Sequence, residues 1–151
     1  MTDQFERYGI DLRLLDDLFR QNDLNPGRDL RARERLVTGL VDLETLSEVR
    51  NLQQALLLRF LTQRGELEPL GHPEYGSRLF ELIGQPNTVT NRNRAKLYVL
   101  EALAQEPRVA ETLNVQVETR RSDPGRIDIS VSVRAIRSDT IVNLVFPFFL
   151  E

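Results

Sequence analysis

The sequence predicts an α+β fold, with a helical N-terminal part packed on one face of a C-terminal antiparallel three-stranded meander. Three observations predict it. Apolar residues recur at helical spacing across residues 48–62 and again across 87–105. Past Pro107 the period falls to that of a strand: Ile127, Ile129, Val131 and Val133 alternate with Asp128, Ser130, Ser132 and Arg134. Two short turns, Ser122-Asp123-Pro124-Gly125 and Arg137-Ser138-Asp139-Thr140, cut this tail into three strands with tight connections. Short connections of this kind give an antiparallel sheet with one face on the helices.

Taken in order, residues 1–40 read as a charged arm with one short helix, and residues 41–151 as the domain proper. Leu14, Leu15, Leu18 and Phe19 share a helical face over Ile10 to Arg20, which Asn22 to Gly27 then stops. Leu36 to Val41 reads as a short strand or extended segment. Ser47 is a suitable N-cap for the first long helix. Val49, Leu52, Leu56 and Phe60 form its stripe, widened by Ala55, Leu57, Leu58 and Leu61, and Arg64-Gly65 ends it. An irregular stretch follows, with a short amphipathic helix at Ser77 to Ile83. The second long helix has Thr88 or Asn91 as its cap and Leu97, Leu100, Leu103 and Ala104 as its inner face. Pro107 stops it at Glu106, because the residue before proline is pushed out of helical geometry. In the tail, Pro124 and Gly125 occupy the central positions of a type II turn.

Composition removes several classes of function. A net charge of −3 opposes a dedicated nucleic-acid binder, which is usually basic. The absence of cysteine removes disulfides, thiolate metal sites and cysteine nucleophiles, and suits a reducing cytoplasm. The N-terminus has no signal-peptide pattern, and no apolar run approaches the length of a membrane span.

No motif specifies catalysis, a metal or a cofactor. His72, the one histidine, lies between glycine and proline and reads as a loop residue. Asp23, Asn25 and Glu34 have calcium-loop spacing, but Arg28 stands where that loop needs glycine. Arg28, Arg31, Arg33 and Arg35 are interrupted by acids and have no aromatic residues between them to stack on bases. Glu66 and Glu68, if extended, would point the same way about 7 Å apart, a spacing compatible with an inverting glycosidase. Glu106-Pro107-Arg108 holds an acid and a base together through a proline of fixed φ, and otherwise reads as a charged helix end. Phe146, Phe148 and Phe149 either close the core or anchor a partner.

Over residues 44–151 the order of features resembles the baseplate wedge, or sheath-initiator, proteins of contractile phage tails, type VI secretion and phage-like injection systems. The features are the Arg64-Gly65 pair, the loop Pro73-Glu74-Tyr75-Gly76-Ser77, the triplet Glu106-Pro107-Arg108 and the terminal Phe146-Pro147-Phe148. Members carry a lysozyme-like label, but the resemblance implies no enzymatic activity and no cofactor.

The resemblance implies a mechanical role at the baseplate, beside the central spike and tube proteins, in about six copies per baseplate. Glu106, Pro107 and Arg108 would contact the larger wedge proteins. The strands carrying Ile127, Ile129, Val131, Val133, Val142, Leu144 and Phe146 would template the sheath protein by β-strand addition. The chain would be made in the cytoplasm and built into a phage tail-like particle, released or membrane-anchored as part of it, without inserting in the membrane or binding nucleic acid. Two rival readings stay open, a peptidoglycan-cleaving glycoside hydrolase and a generic protein–protein adaptor.

Overall fold

The computed structural model describes residues 8–15 and 30–150. Seven strands and two α-helices are assigned among them: β1 (Ile10–Leu12), β2 (Ala32–Glu34), β3 (Val41–Leu43), β4 (Thr45–Ser47), α1 (Glu48–Leu61), α2 (Val89–Ala104), β5 (Val109–Arg120), β6 (Asp123–Ala135) and β7 (Ile141–Phe149). The α+β class is as the sequence predicts, with the helices on one face of the β5-β6-β7 sheet.

The start of the expected Ile10–Arg20 helix is instead extended. β1 pairs antiparallel with β4, matching Ile10 with Ser47 and Leu12 with Thr45. Beyond it, the buried Gln54 side chain takes the place of a neighbouring strand. Its Oε1 accepts from the N–H groups of Leu14 and Leu15, and its Nε2 donates to the Leu12 carbonyl. These bonds satisfy the backbone without helical turns. Leu18, Phe19, the Asn22–Gly27 turn and Arg28 lie outside the described residues.

Leu36 to Leu40 is likewise not a strand. It is the turn of a hairpin in which Arg33 of β2 faces Asp42 of β3. The turn is closed by Gly39 N–H to the Arg35 carbonyl and by an Arg35–Asp42 ion pair, and Gly39 has φ +65°. Leu36 and Val37 at its tip are each 96% exposed.

Helix α1 follows the expected stripe: Leu52, Leu56, Leu57 and Phe60 are buried, while Leu61 falls on the outer face. Ser47 occupies the N-cap position without a capping bond from its side chain; the chain enters the helix through Glu48 at φ +55°. Thr88 caps α2, its hydroxyl accepting from Asn91 N–H. The inner face of α2 differs from the expected one. Ala95, Tyr98, Val99, Ala102 and Leu103 are buried, whereas Leu97, Leu100 and Ala104 turn outward. Small residues at 95 and 102 let the helix backbone approach the sheet closely, which leucine there would prevent. The short helix expected at Ser77–Ile83 is a single 3-10 turn, Leu79–Leu82.

The sheet has the order β5-β6-β7, with β6 paired on both sides. The first connection is Arg121-Ser122, not a type II turn at Pro124-Gly125. Both of those residues already belong to β6, and Gly125 is not in the left-handed region. The second connection falls where expected, with Arg137 at φ +52°. β7 runs through Pro147, which a central strand would not tolerate. It is tolerated because the Asn143 carbonyl faces the free edge, accepting from Gln53 Nε2 of α1. Pro147 shares that parity, so its missing N–H also falls on the unpaired side.

The core lies between the sheet and the helices. Ile127, Ile129, Val131 and Val133 of β6 and Val142, Leu144 and Phe146 of β7 point into it, all buried. Phe146 stacks on Phe60 with ring centroids 5.1 Å apart and planes 12° from parallel.

Candidate functional site

Four separated parts of the chain meet where α1 ends: Tyr8, Arg59 of α1, the loop Pro73–Ser77, and Glu106 to Arg108 between α2 and β5. Pro107 ends the helix, and Val109 N–H then bonds the Glu106 carbonyl as the chain reverses into β5. This reversal turns the Glu106 side chain inward, leaving it 3% exposed.

Both carboxylate oxygens of Glu106 are engaged by arginine. Oε1 accepts from Arg108 Nε at 2.6 Å and from Arg108 N–H at 3.3 Å. Oε2 accepts from Arg59 Nη2 and Arg108 Nη2, each at 3.2 Å. Arg108 also donates through Nη1 to the Tyr8 carbonyl at 3.2 Å, which Asn51 Nδ2 joins at 2.7 Å. The Tyr8 hydroxyl donates to the Ile136 carbonyl. Burial alone would raise the Glu106 carboxyl, but the bonds and charge of Arg108, with Arg59 adding to them, bring it below the usual glutamate value.

The loop meets this cluster through Tyr75, whose ring centroid lies 4.5 Å from the Arg59 guanidinium carbon, a cation–π arrangement. Burial raises the Tyr75 phenol above its ordinary pKa, against the opposing pull of Arg59. Glu74 pairs with Arg64. Ser77 Oγ donates to the Phe60 carbonyl, and its N–H donates to the Thr62 carbonyl. Gly76 makes the approach possible. It has φ +106°, and a Cβ there would lie 2.6 Å from Thr62 O and 2.9 Å from Arg64 N. Backbone atoms cannot yield as a side chain does, so Gly76→Ala should destabilise the fold by about 2–4 kcal/mol. Urea unfolding measures this; a loss under about 1 kcal/mol, the ordinary cost of a substitution, would show that the loop relaxes.

The structure thus joins three features that are separate in the sequence, Arg64-Gly65, the Pro73–Ser77 loop and the Glu106–Arg108 triplet. Pro107 is exposed and Arg108 is 26% exposed, whereas Glu106 is held inside. The residues expected to bear the sheath contact, Ile127, Ile129, Val131, Val133, Val142, Leu144 and Phe146, all have core side chains. Any strand added to this sheet would meet backbone edges rather than these side chains. Sequence reading missed Arg59 and Tyr8. Arg59 was detectable as the charged residue on the Leu52, Leu56, Phe60 stripe; Tyr8 gave no comparable signal.

Glu66 and Glu68 do not form an extended pair. Glu66 lies in a turn, Glu68 begins the 3-10 turn Glu68–Leu70, and both are exposed. Near Glu66 an apolar groove of about 460 Å³ runs between Phe60, Phe80, Ile83, Phe148 and Phe149. Among the described residues Glu66 is the acidic residue that lines it. Among the described residues no group of His, Asp and Glu could hold a metal ion, and no helix is long and apolar enough to cross a membrane.

Residues 46–140 match the family described as baseplate wedge protein gp25. The chain belongs to that family. As a baseplate wedge family member it is a structural component of a baseplate, within a phage tail-like particle. Its fold also matches the crystal structure of a Geobacter sulfurreducens protein provisionally named a tail lysozyme. The two are 29% identical with a TM-score of 0.55, over 65% of this chain and 86% of the other. No curated protein matches the sequence significantly. The family match begins within β4, so β1 and the β2–β3 hairpin precede it.

Proposed function

We propose that this wedge-family protein links the larger wedge proteins to the first sheath ring and templates sheath assembly by β-strand addition, without catalysis. The observation that carries the reading is the outer edge of β7, which pairs with no strand among the described residues and is held in register by nine consecutive partners on β6. An edge of this kind accepts a strand through its main chain, here by the N–H groups of Val145 and Phe149 and the carbonyls between them, since Pro147 offers no donor. β5 is the poorer template, because its pairing with β6 is broken by three register shifts. The open part of the β7 edge, Val145 to Phe149, adjoins the Phe148–Phe149 groove, which would receive alternate side chains of the incoming strand. The buried side chains from Ile127 to Phe146 brace the template from within.

The wedge contact falls to the Glu106–Arg108 corner, with Arg108 facing the partner and Glu106 positioning it. About six copies would surround the spike and tube, as the resemblance to the family implies. Synthesis would be cytoplasmic, followed by incorporation in the particle. Residues 1–40 would act as an arm on the 41–151 domain.

Val145 has the parity of Asn143 and Pro147, so its N–H faces the free edge. Val145→Pro should therefore block strand addition while keeping the β6 ladder. Negative-stain microscopy of particles from the native cells reads the result. Baseplates without sheath, from a variant that melts normally, are expected; sheath of normal length would overturn the template role.

A further inference from the structure

This inference rests on the wedge contact proposed above. Arg59 sits on the buried face of α1 with its side chain 9% exposed. Its Nη2 has the Glu106 carboxylate, but its Nε is buried with no hydrogen-bond partner among the described residues. A buried polar atom left in this way calls for an explanation. The charges of the described residues are also unequal. Two guanidiniums share one carboxylate, since Arg64 and Glu74 pair with each other. Asp11 is exposed, accepts from Leu12 N–H, and bonds neither arginine of the cluster.

A purely internal role does not account for this arrangement. Arg108 alone already grips both oxygens of Glu106. Arg59 therefore adds a buried cation, with its desolvation cost, to a carboxylate that is satisfied without it. With an apolar side chain at 59, Glu106 would stay paired through Arg108 and one buried cation would be gone, so the penalty of stranding a buried charge is not incurred. Tyr75, only half-buried, lies over the guanidinium and is the more exposed of the two. It belongs to a loop placed beside α1 by the close approach at Gly76.

We propose that Arg59 is a partner-binding residue, which together with Arg108 receives a carboxylate side chain of a wedge protein beneath the Tyr75 ring. The incoming acid supplies the missing negative charge and the missing acceptor. Two guanidiniums then flank it with charge-assisted hydrogen bonds, and the ring fixes the plane of Arg59.

The test is to express the full chain with an affinity tag in its native cells as wild type, Arg59→Met, Arg59→Lys and Arg108→Met. Co-purifying wedge-family proteins are counted by mass spectrometry, and each purified variant is melted. Arg59→Met should melt at or above the wild type yet lose wedge proteins at least about tenfold, the scale for losing one side of a buried interfacial charge pair. Arg59→Lys, which keeps the charge without the fork, should recover part of that loss. Wild-type recovery by Arg59→Met, or a melting point well below the wild type, overturns the proposal. If Arg108→Met loses the wedge proteins while Arg59→Met keeps them, only this inference fails. If both keep them, the wedge contact at this corner fails as well.

Discussion

Phe146→Ala should destabilise the protein by about 3–5 kcal/mol, the cost of emptying a phenylalanine site in a packed core. The side chain is fully buried, in β7 opposite Ile129 of β6, and its ring stacks on Phe60 of α1. It therefore joins the sheet to the first helix, and its loss removes contacts on both layers. For a chain of this length the melting point should fall by roughly 10 °C or more. Phe149→Ala is the matching control. That ring is 37% exposed with Arg126 lying over it at 5.8 Å, so its loss should cost far less. Chemical unfolding of both variants decides the matter. Equal losses would mean that the terminal aromatic residues act as one cluster, and that Phe146 is not the joint between the layers.

Sequence periodicity located the elements whose burial is one-sided. The alternation from Ile127 to Val133 needs no partner to be recognised, because every second side chain faces the core regardless of what the neighbouring strands contribute. The stripe on α1 was legible for the same reason. In helix α2, Leu97 and Leu100 point to the wrong face. The close packing of α2 is carried by Ala95 and Ala102, and size-weighted reading favours Leu97 and Leu100, which face outward. The segment from Ile10 to Leu15 was misread because its backbone partners are remote: β4, and a single glutamine side chain about forty residues on. The site shows the same division. Glu106 and Arg108 are adjacent in sequence and could be named as a pair. Arg59, Tyr75 and Tyr8 join them only through tertiary packing, and nothing local to Tyr8 reports that its carbonyl meets an arginine one hundred residues later.

Removal of the Glu106 carboxylate should be as damaging as the loss of Phe146. In Glu106→Ala, Arg59 and Arg108 would face each other with no anion between them, and breaking a buried ion pair from one side costs about 3–5 kcal/mol. Arg108 retains some contact with solvent, which places the expected value toward the lower end of that range. The pH dependence supplies an independent check. The folded-state pKa of Glu106 lies below its unfolded value. Its contribution is therefore present above the unfolded glutamate pKa of about 4.3, and is lost as pH falls through the lower folded value. Glu81, also held low by the Arg78 and Tyr98 bonds, contributes to the acid slope of the wild type, so the informative quantity is the difference between proteins. Glu106→Gln keeps the shape of the side chain but cannot ionise. Its deficit relative to wild type should be largest near neutrality and should shrink steadily below about pH 4. A deficit independent of pH would mean that packing around residue 106, and not the charge shared by the two arginines, holds the corner together.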